Sequence, residues 1–404
     1  MLDLPVWGNY ITGWSIGRWS MFSVLKQTEY GRTGIISTCN GQIHTPAFIP
    51  VATKASIKGV LPEQMKQLGA QGLLANAYHL YLRPGPDTIA AAGGLSRFMS
   101  WNGPTFTDSG GFQVMSLGRG GKKVISMEVP DNTWESNIRK TTLIRIDDQG
   151  VWFRSHIDGS QHRFTPEESI RVQNKIGADI IFAFDQLTTL DDSRAVQEYA
   201  LERTRLWAER CLNQHSKEDQ ALFAVIQGAN YRDLREKACR DLGQMGFDGF
   251  GIGGALEKSR IREIITWCTR KLPEEKPRHL LGISEPNDLM NAIEAGIDTF
   301  DCVSPTRVAR NTAFYTPSGR KNLRRKMYRN DFSPLVEGCA CYACSNFTRA
   351  YIHHLFRAKE MCAATLTSIH NEYFIVSMVD GARKAIDEGY FREYKGKILR
   401  EYYK

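Results

Sequence analysis

Three aspartates stand at or near the ends of short apolar runs: Asp108 in Pro104–Asp108, Asp185 in Asp179–Asp185 and Asp301 in Thr299–Val303. A carboxylate at the end of a buried strand sits at the mouth of the core, where it can attack carbon, move a proton or accept from a polar ligand. Any one of them alone reads equally as a loop-initiating or helix-capping residue. Three with the same placement are read as a catalytic set.

A second constellation has metal-ligand character. Cys339, Cys341 and Cys344 fall in Cys-Ala-Cys-Tyr-Ala-Cys, and His370 follows in Thr367–Asn371. A Cys3His set closes a tetrahedral shell, so the expected ion is a structural Zn2+, one per chain. His353 and His354, in Tyr351–Leu355, compete for the fourth position, although that segment reads equally well as helix packing. The alternative is a cluster of buried or disulfide-linked cysteines. However, Cys39, Cys211, Cys239, Cys268, Cys302 and Cys362 are scattered without pairing, and residues 1–20 have neither the basic start nor the apolar stretch of an export signal. Reduced thiols and a cytoplasmic location are expected.

Third comes charge. Arg320, Lys321, Arg324, Arg325, Lys326 and Arg329 crowd one short stretch, preceded by Arg307 and Arg310 just after Asp301. Such a run is either a solvated helix face or a polyanion-binding surface. Phosphate neutralisation would give salt-dependent affinity and leave specificity to a pocket.

The elements that must position these groups follow from the same apolar grammar. Pro46–Val51, Gly72–Asn76, Ala221–Gln227, Gly249–Gly254 and His279–Ile283 join the three aspartate-bearing runs to make eight candidate strands. Most are separated by segments with helical spacing, such as Pro62–Leu68 and Asp288–Glu294. Eight strand-helix units predict an α/β fold, a (β/α)8 TIM barrel, with Asn76, Asp108, Asp185, Gln227, Gly254 and Asp301 converging on one mouth. The competing architecture is a doubly wound open sheet, but no Gly-rich dinucleotide fingerprint follows the first strand. Between the third and fourth strands, Thr142–Asp147 and Gly150–Ser155 flank a turn and predict an inserted β-hairpin. Gly118–Lys123 and Asp131–Ser136 read as mobile loop.

The chain has 404 residues, 42% hydrophobic and 24% charged, with a net charge of +8. These values fit a soluble globular enzyme, and no apolar stretch has the length of a membrane span. The expected division is an N-terminal extension over 1–20, a barrel over 21–330 with its insertion at about 118–165, and a zinc-binding subdomain with C-terminal helices over 331–404.

Several motifs together resemble the tRNA-guanine transglycosylase family: Thr107-Asp-Ser-Gly-Gly-Phe-Gln113, Phe300-Asp-Cys-Val303 continuing into Pro305-Thr-Arg307, and the cysteine set with its distant His-Asn. Asn76–Leu80, Arg83–Gly85 and Tyr351–Leu355 extend the match, from about residue 22 to the low 390s. The resemblance implies a zinc-containing barrel that exchanges guanine at the wobble position of GUN-anticodon tRNAs for a 7-deazaguanine, queuine or preQ1. It makes Asp301 the nucleophile at the ribose C1′ and Asp108 the general acid/base. Asp185, Gln227 and the Gly254 backbone would read the base, with Phe112 and Leu281 on its faces. Arg307, Arg310, Asp288 and Asn76 match tRNA-binding positions. A homodimer is implied by analogy.

The sequence departs from the family pattern at Gln186-Leu187, at Ala255–Ser259 and at Glu285. Glu257 stands in a shifted register relative to the glutamate that supports recognition of the preQ1 aminomethyl group. The incoming base stays open between queuine and preQ1, leaning to queuine. Two rival functions share some of these features: a barrel glycoside or nucleoside hydrolase, and a noncatalytic RNA-binding subunit.

Overall fold

The computed structural model describes residues 21–118 and 142–404. Residues 1–20 and, apart from Gly118, the two predicted loops lie outside the described residues.

Each of the eight apolar runs carries a strand. In chain order they are β1 (Ala47–Pro50), β2 (Leu73–Ala75), β3 (Thr105–Thr107), β4 (Ile180–Phe182), β5 (Ala221–Ile226), β6 (Gly249–Ile252), β7 (Arg278–Leu280) and β8 (Thr299–Cys302). All pair in parallel with their sequence neighbours, and β8 pairs with β1. A parallel bridge between Val51 and Leu74 completes the circle. This is the expected (β/α)8 barrel.

Alternation along the strands separates two cores, because successive side chains leave opposite faces. On β5, Phe223 and Val225 join Ile49, Leu74, Phe106, Ile180 and Phe182 in the barrel interior. Leu222, Ala224 and Ile226 join the larger core under the surrounding helices. The apolar runs are continuous because both faces are covered.

One helix illustrates how local sequence sets a boundary. Pro166–Ile176 begins with Thr165, whose side chain accepts from Glu168 N, followed by Pro166 at the first helical position. It ends at Gly177, whose φ of 71° is left-handed. Its Gln173 is fully buried and fixes two strands: Oε1 accepts from Thr107 Oγ1 at 3.0 Å, and Nε2 donates to Phe182 O at 3.0 Å. These are the strands that lead to Asp108 and Asp185.

An antiparallel sheet of Phe22–Thr28, Gly31–Thr38 and Gly41–Thr45, absent from the sequence expectations, packs Phe22, Ile36 and Ile43 against the barrel interior. It is tied to residues that precede the strands, at the end away from the mouth. Arg32 makes a bidentate pair with Asp298, at 2.9 and 2.6 Å, and Asn40 Nδ2 donates to Asp179 Oδ1 at 2.9 Å. The predicted hairpin is present as Thr142–Asp147 and Gly150–Arg154, with a third strand, Gln161–Phe164, beside it.

After β8 come the helix Ser304–Arg310 and a hairpin, Ala313–Thr316 with Gly319–Asn322. Phe314, Leu323, Tyr328, Cys341, Ile352 and Leu366 form a separate small core. The long helix Met361–Glu388 serves both regions: Leu366 lies in the small core, while Ile375, Val379 and Ile386 pack into the barrel-helix core.

Candidate active site and metal centre

Interior parity carries directly into the mouth. Residues two beyond an inward-facing side chain keep its direction, so Asn76 follows Leu74, Asp108 follows Phe106 and Gln227 follows Val225. His279 and Thr299 are partners in register on β7 and β8, and Leu281 and Asp301 follow each by two. Asp185 comes after β4 has ended at Phe182, and its position depends on the turn that follows.

The mouth holds Asp108 by four donors. Its Oδ1 accepts from Ala77 N at 2.8 Å and Gly110 N at 3.2 Å; Oδ2 accepts from Gln113 Nε2 at 2.8 Å and from Asn76 Nδ2. Burial nevertheless pushes its pKa up to about 6; the hydrogen bonds from Asn76, Ala77 and Gln113 pull the other way and the charge on Asp301 adds to the rise. Asp185 accepts from Gln227 Nε2 at 2.5 Å and Ser109 Oγ at 3.3 Å. It too is pushed up to about 6, mainly by burial, with a contribution from the charge on Asp108. The three carboxylates therefore lie within electrostatic reach of one another.

Asp301 is presented differently. Its Oδ1 accepts from Gly282 N at 3.1 Å and meets His279 Nε2 at 3.0 Å, while His279 Nδ1 contacts Thr299 Oγ1 at 2.9 Å. The histidine is completely buried and the carboxylate 14% exposed. An anchored carboxylate with a reachable oxygen is the arrangement a nucleophile requires.

The remaining predicted base-site residues gather nearby. Gln227 is buried; Nε2 donates to Asp185, and Oε1 has no hydrogen-bond partner among the described residues. Gly254 has φ +82°, and a Cβ there would stand 2.1 Å from Gln227 Oε1, so no larger residue fits without displacing that amide. The Leu281 side chain lies against Gly253. Phe112, at the start of the helix Gly111–Gly118, is 42% exposed.

Of the four residues expected at the RNA, the structure brings Asn76 onto Asp108 itself. Asp288 is buried in the first turn of Pro286–Glu294, and burial pushes its pKa up to about 6, with Lys258 opposing the rise and Glu285 adding to it. Arg307 and Arg310 lie on the helix immediately after Asp301. Glu285 pairs with Arg320 at 2.8 Å. Glu257 is exposed and turns to its own surroundings: its backbone N–H donates to Asn230 Oδ1, and its carboxylate accepts from Asn230 Nδ2 and Ser259 Oγ.

Sequence reasoning passed over His279, Ser109 and Gln113. His279 was legible in principle: pairing β7 with β8 puts it opposite Thr299, one interior step from Asp301.

The metal-type cluster is compact. The ligand atoms of Cys339, Cys341, Cys344 and His370 all lie within 4.8 Å of one another. The three Sγ atoms stand 3.7, 3.5 and 3.4 Å from His370 Nδ1. Tetrahedral zinc with sulfur and nitrogen ligands has edges of about 3.6 Å, so the donor set fits such an ion. His370 Nε2 contacts Tyr315 O at 2.8 Å, which orients Nδ1 toward the thiols. His353 is engaged elsewhere, through Nδ1 to Leu323 O at 2.6 Å. Next to His370, Asn371 accepts from Tyr315 N at 3.0 Å and donates to Pro305 O and Ala313 O at 3.1 and 3.0 Å. The cluster is thereby linked to the helix bearing Arg307 and Arg310.

A closed parallel barrel with interacting carboxylates at the carboxyl ends of its strands defines the class: a (β/α)8-barrel enzyme. Comparison with known proteins narrows it. Residues 27–404 match the family described as Queuine tRNA-ribosyltransferase. A Queuine tRNA-ribosyltransferase of Pelotomaculum thermopropionicum is 44% identical over 374 residues, covering 92% of this chain and 95% of that protein. One from Fusobacterium nucleatum is 43% identical over 387 residues, covering 94% and 98%. The chain belongs to the queuine tRNA-ribosyltransferase family and is an enzyme of the pentosyl-transferring class.

Proposed function

We propose that this chain exchanges guanine at the wobble position of GUN-anticodon tRNAs for a 7-deazaguanine base, through a covalent aspartyl-ribosyl intermediate. The observation that carries this reading is a set of three neighbouring carboxylates, each held by its own partners. Asp301 is anchored through Oδ1, so its second oxygen is assigned to attack the ribose C1′ as the bond from C1′ to guanine breaks. Asp108, with a pKa near 6, gives its proton to the departing guanine. Its carboxylate then takes the ring-nitrogen proton of the incoming base, whose nitrogen attacks C1′ and expels Asp301. Two displacements retain configuration, as in retaining glycosidases.

Asp185 is a pure acceptor when ionised and matches the adjacent N1–H and N2–H2 donors of the guanine edge. The second N–H of Gln227 Nε2 and the Gly254 backbone amide serve O6. Phe112 and Leu281 flank the ring. In a single-stranded anticodon loop, extruding the target base costs little. Arg307 and Arg310 grip the adjacent nucleotides. Cys339, Cys341, Cys344 and His370 would hold Zn2+, which would cross-link the fold and supply no chemistry at the mouth.

The test uses radiolabelled guanine and unmodified GUN-anticodon tRNA. Label in the RNA is expected, and Asp301→Ala should abolish both incorporation and a denaturation-resistant RNA adduct. Release of free guanine without incorporation would instead indicate hydrolysis, and an adduct surviving Asp301→Ala would remove Asp301 from its role. Queuine and preQ1 share the edge assigned to Asp185, so competition against labelled guanine distinguishes them.

A further inference from the structure

Arg235 is a fully buried arginine that forms no ion pair with a carboxylate among the described residues. Burying a guanidinium without a counter-charge is costly, so what it holds in return is informative. Its hydrogen bonds all go to backbone carbonyls. Nε donates to Ala229 O at 2.9 Å, and Nη1 donates to Ile226 O at 2.8 Å and to Gly253 O at 2.9 Å. Ile226 directly precedes Gln227, and Gly253 directly precedes Gly254. One guanidinium thus grips the ends of β5 and β6 at the residues that deliver both groups assigned to O6.

The backbone around it points the same way. Gly228 has φ +132°, and a Cβ there would stand 2.8 Å from Arg235 N. Ala229 is left-handed at φ 47°, a conformation unfavourable for a residue with a side chain. This strained turn aims the Ala229 carbonyl at Nε. Burial pulls the arginine's pKa down from its usual range, and the neighbours that oppose this are the thiols of Cys268 and Cys239 rather than an acid.

We infer that Arg235 is a positioning residue of the base pocket: by clamping the carbonyls of Ile226, Ala229 and Gly253 it fixes Gln227 and the Gly254 amide at the spacing that reads O6. The inference rests on the proposed base exchange and adds a residue that never touches the base. A merely structural role would lower stability and scale all ligands alike. A positioning role changes the comparison between guanine and 6-thioguanine, which keeps the N1–H and N2–H2 edge assigned to Asp185 and carries a weaker acceptor in place of O6.

The experiment measures competitive inhibition constants of both bases, tRNA affinity and thermal midpoint for the full chain, Arg235→Lys and Ala229→Gly. Lysine keeps the charge but not the fork that reaches three carbonyls. Ala229→Gly relieves the left-handed strain, so it is expected to fold at least as stably while loosening the clamp. Preference for guanine over 6-thioguanine is expected to fall about threefold in Arg235→Lys and about twofold in Ala229→Gly, with tRNA affinity unchanged. Preference retained in both variants, or tRNA affinity falling in step, overturns the inference. Failure of the unaltered chain to exchange guanine overturns the functional reading itself, a different outcome.

Discussion

At the scale of single residues, the mouth is organised by what each carboxylate is given to hold. Asp108 and Asp185 combine burial with several donors and end near pH 6. Asp301 has a buried imidazole and one backbone amide at the same oxygen. The raised pair has a definite pH consequence. Between about pH 4 and 6 the folded chain keeps protons that the unfolded chain has released, so stability rises as pH falls from 8 toward 5. The cost of ionisation, at most about 3 kcal/mol per carboxyl, is fully present above pH 6. Asp185→Asn is expected to shrink the gain in thermal midpoint between pH 8 and pH 5; equal gains in both proteins would contradict the assignment. Because the two groups interact, activity should report apparent values of the pair. Turnover with limiting base is expected to fall as pH drops below about 6, where Asp185 loses its acceptor character. The aspartates were visible in the sequence because each ends an apolar run. Their donors were less visible, since Gln113 and Ser109 resemble any polar residues at the start of a helix.

At the scale of elements, period-two alternation on eight short strands decides which side chains reach the mouth. Asn76, Asp108, Gln227, Leu281 and Asp301 all continue an interior row. The opposite end is closed by the Phe22–Thr45 meander, pinned by the buried Arg32–Asp298 pair. Removing one partner leaves the other charge buried and unpaired, so Arg32→Met is expected to cost about 3–5 kcal/mol in urea unfolding. Turnover below the unfolding transition should be unchanged, because the pair lies away from the catalytic end. A loss below 1 kcal/mol, or a selective loss of turnover, would contradict this. The meander escaped the sequence reading because Phe22–Thr28 and Gly41–Thr45 are mostly exposed, and Gly31–Thr38, although largely buried, buries glycine, arginine and threonine rather than a continuous apolar run.

At the scale of the whole molecule, the three proposed functions meet along one stretch of chain: β8 carries Asp301, the next helix carries Arg307 and Arg310, and Asn371, next to His370 of the Cys3His cluster, bonds Pro305 O on that helix. Arg320, Arg324, Arg325, Lys326 and Arg329 are exposed beyond it, spread over a hairpin, a turn and the short 3-10 helix Lys326–Asn330. No helix of the described residues is long and apolar enough to cross a membrane. His370→Ala is expected to reduce bound zinc from about one ion per chain and to lower the thermal midpoint, since metal binding can contribute on the order of 10 kcal/mol to folding. tRNA affinity should fall more than affinity for the free base, as the clamp on the arginine helix loosens. A metal-free variant with unchanged midpoint and RNA affinity would refute that coupling. The sequence by itself determined the strand-helix rhythm, the carboxylates at strand ends and the cysteine set, because buried runs and local ligand spacing are written in neighbouring residues. Only the tertiary structure shows that His370 Nδ1 stands beside the three thiols while His353 bonds Leu323 O, that His279 meets Asp301 and that Arg235 bonds the ends of two strands. Those pairings depend on register and packing between segments far apart in the chain, which local pattern does not encode.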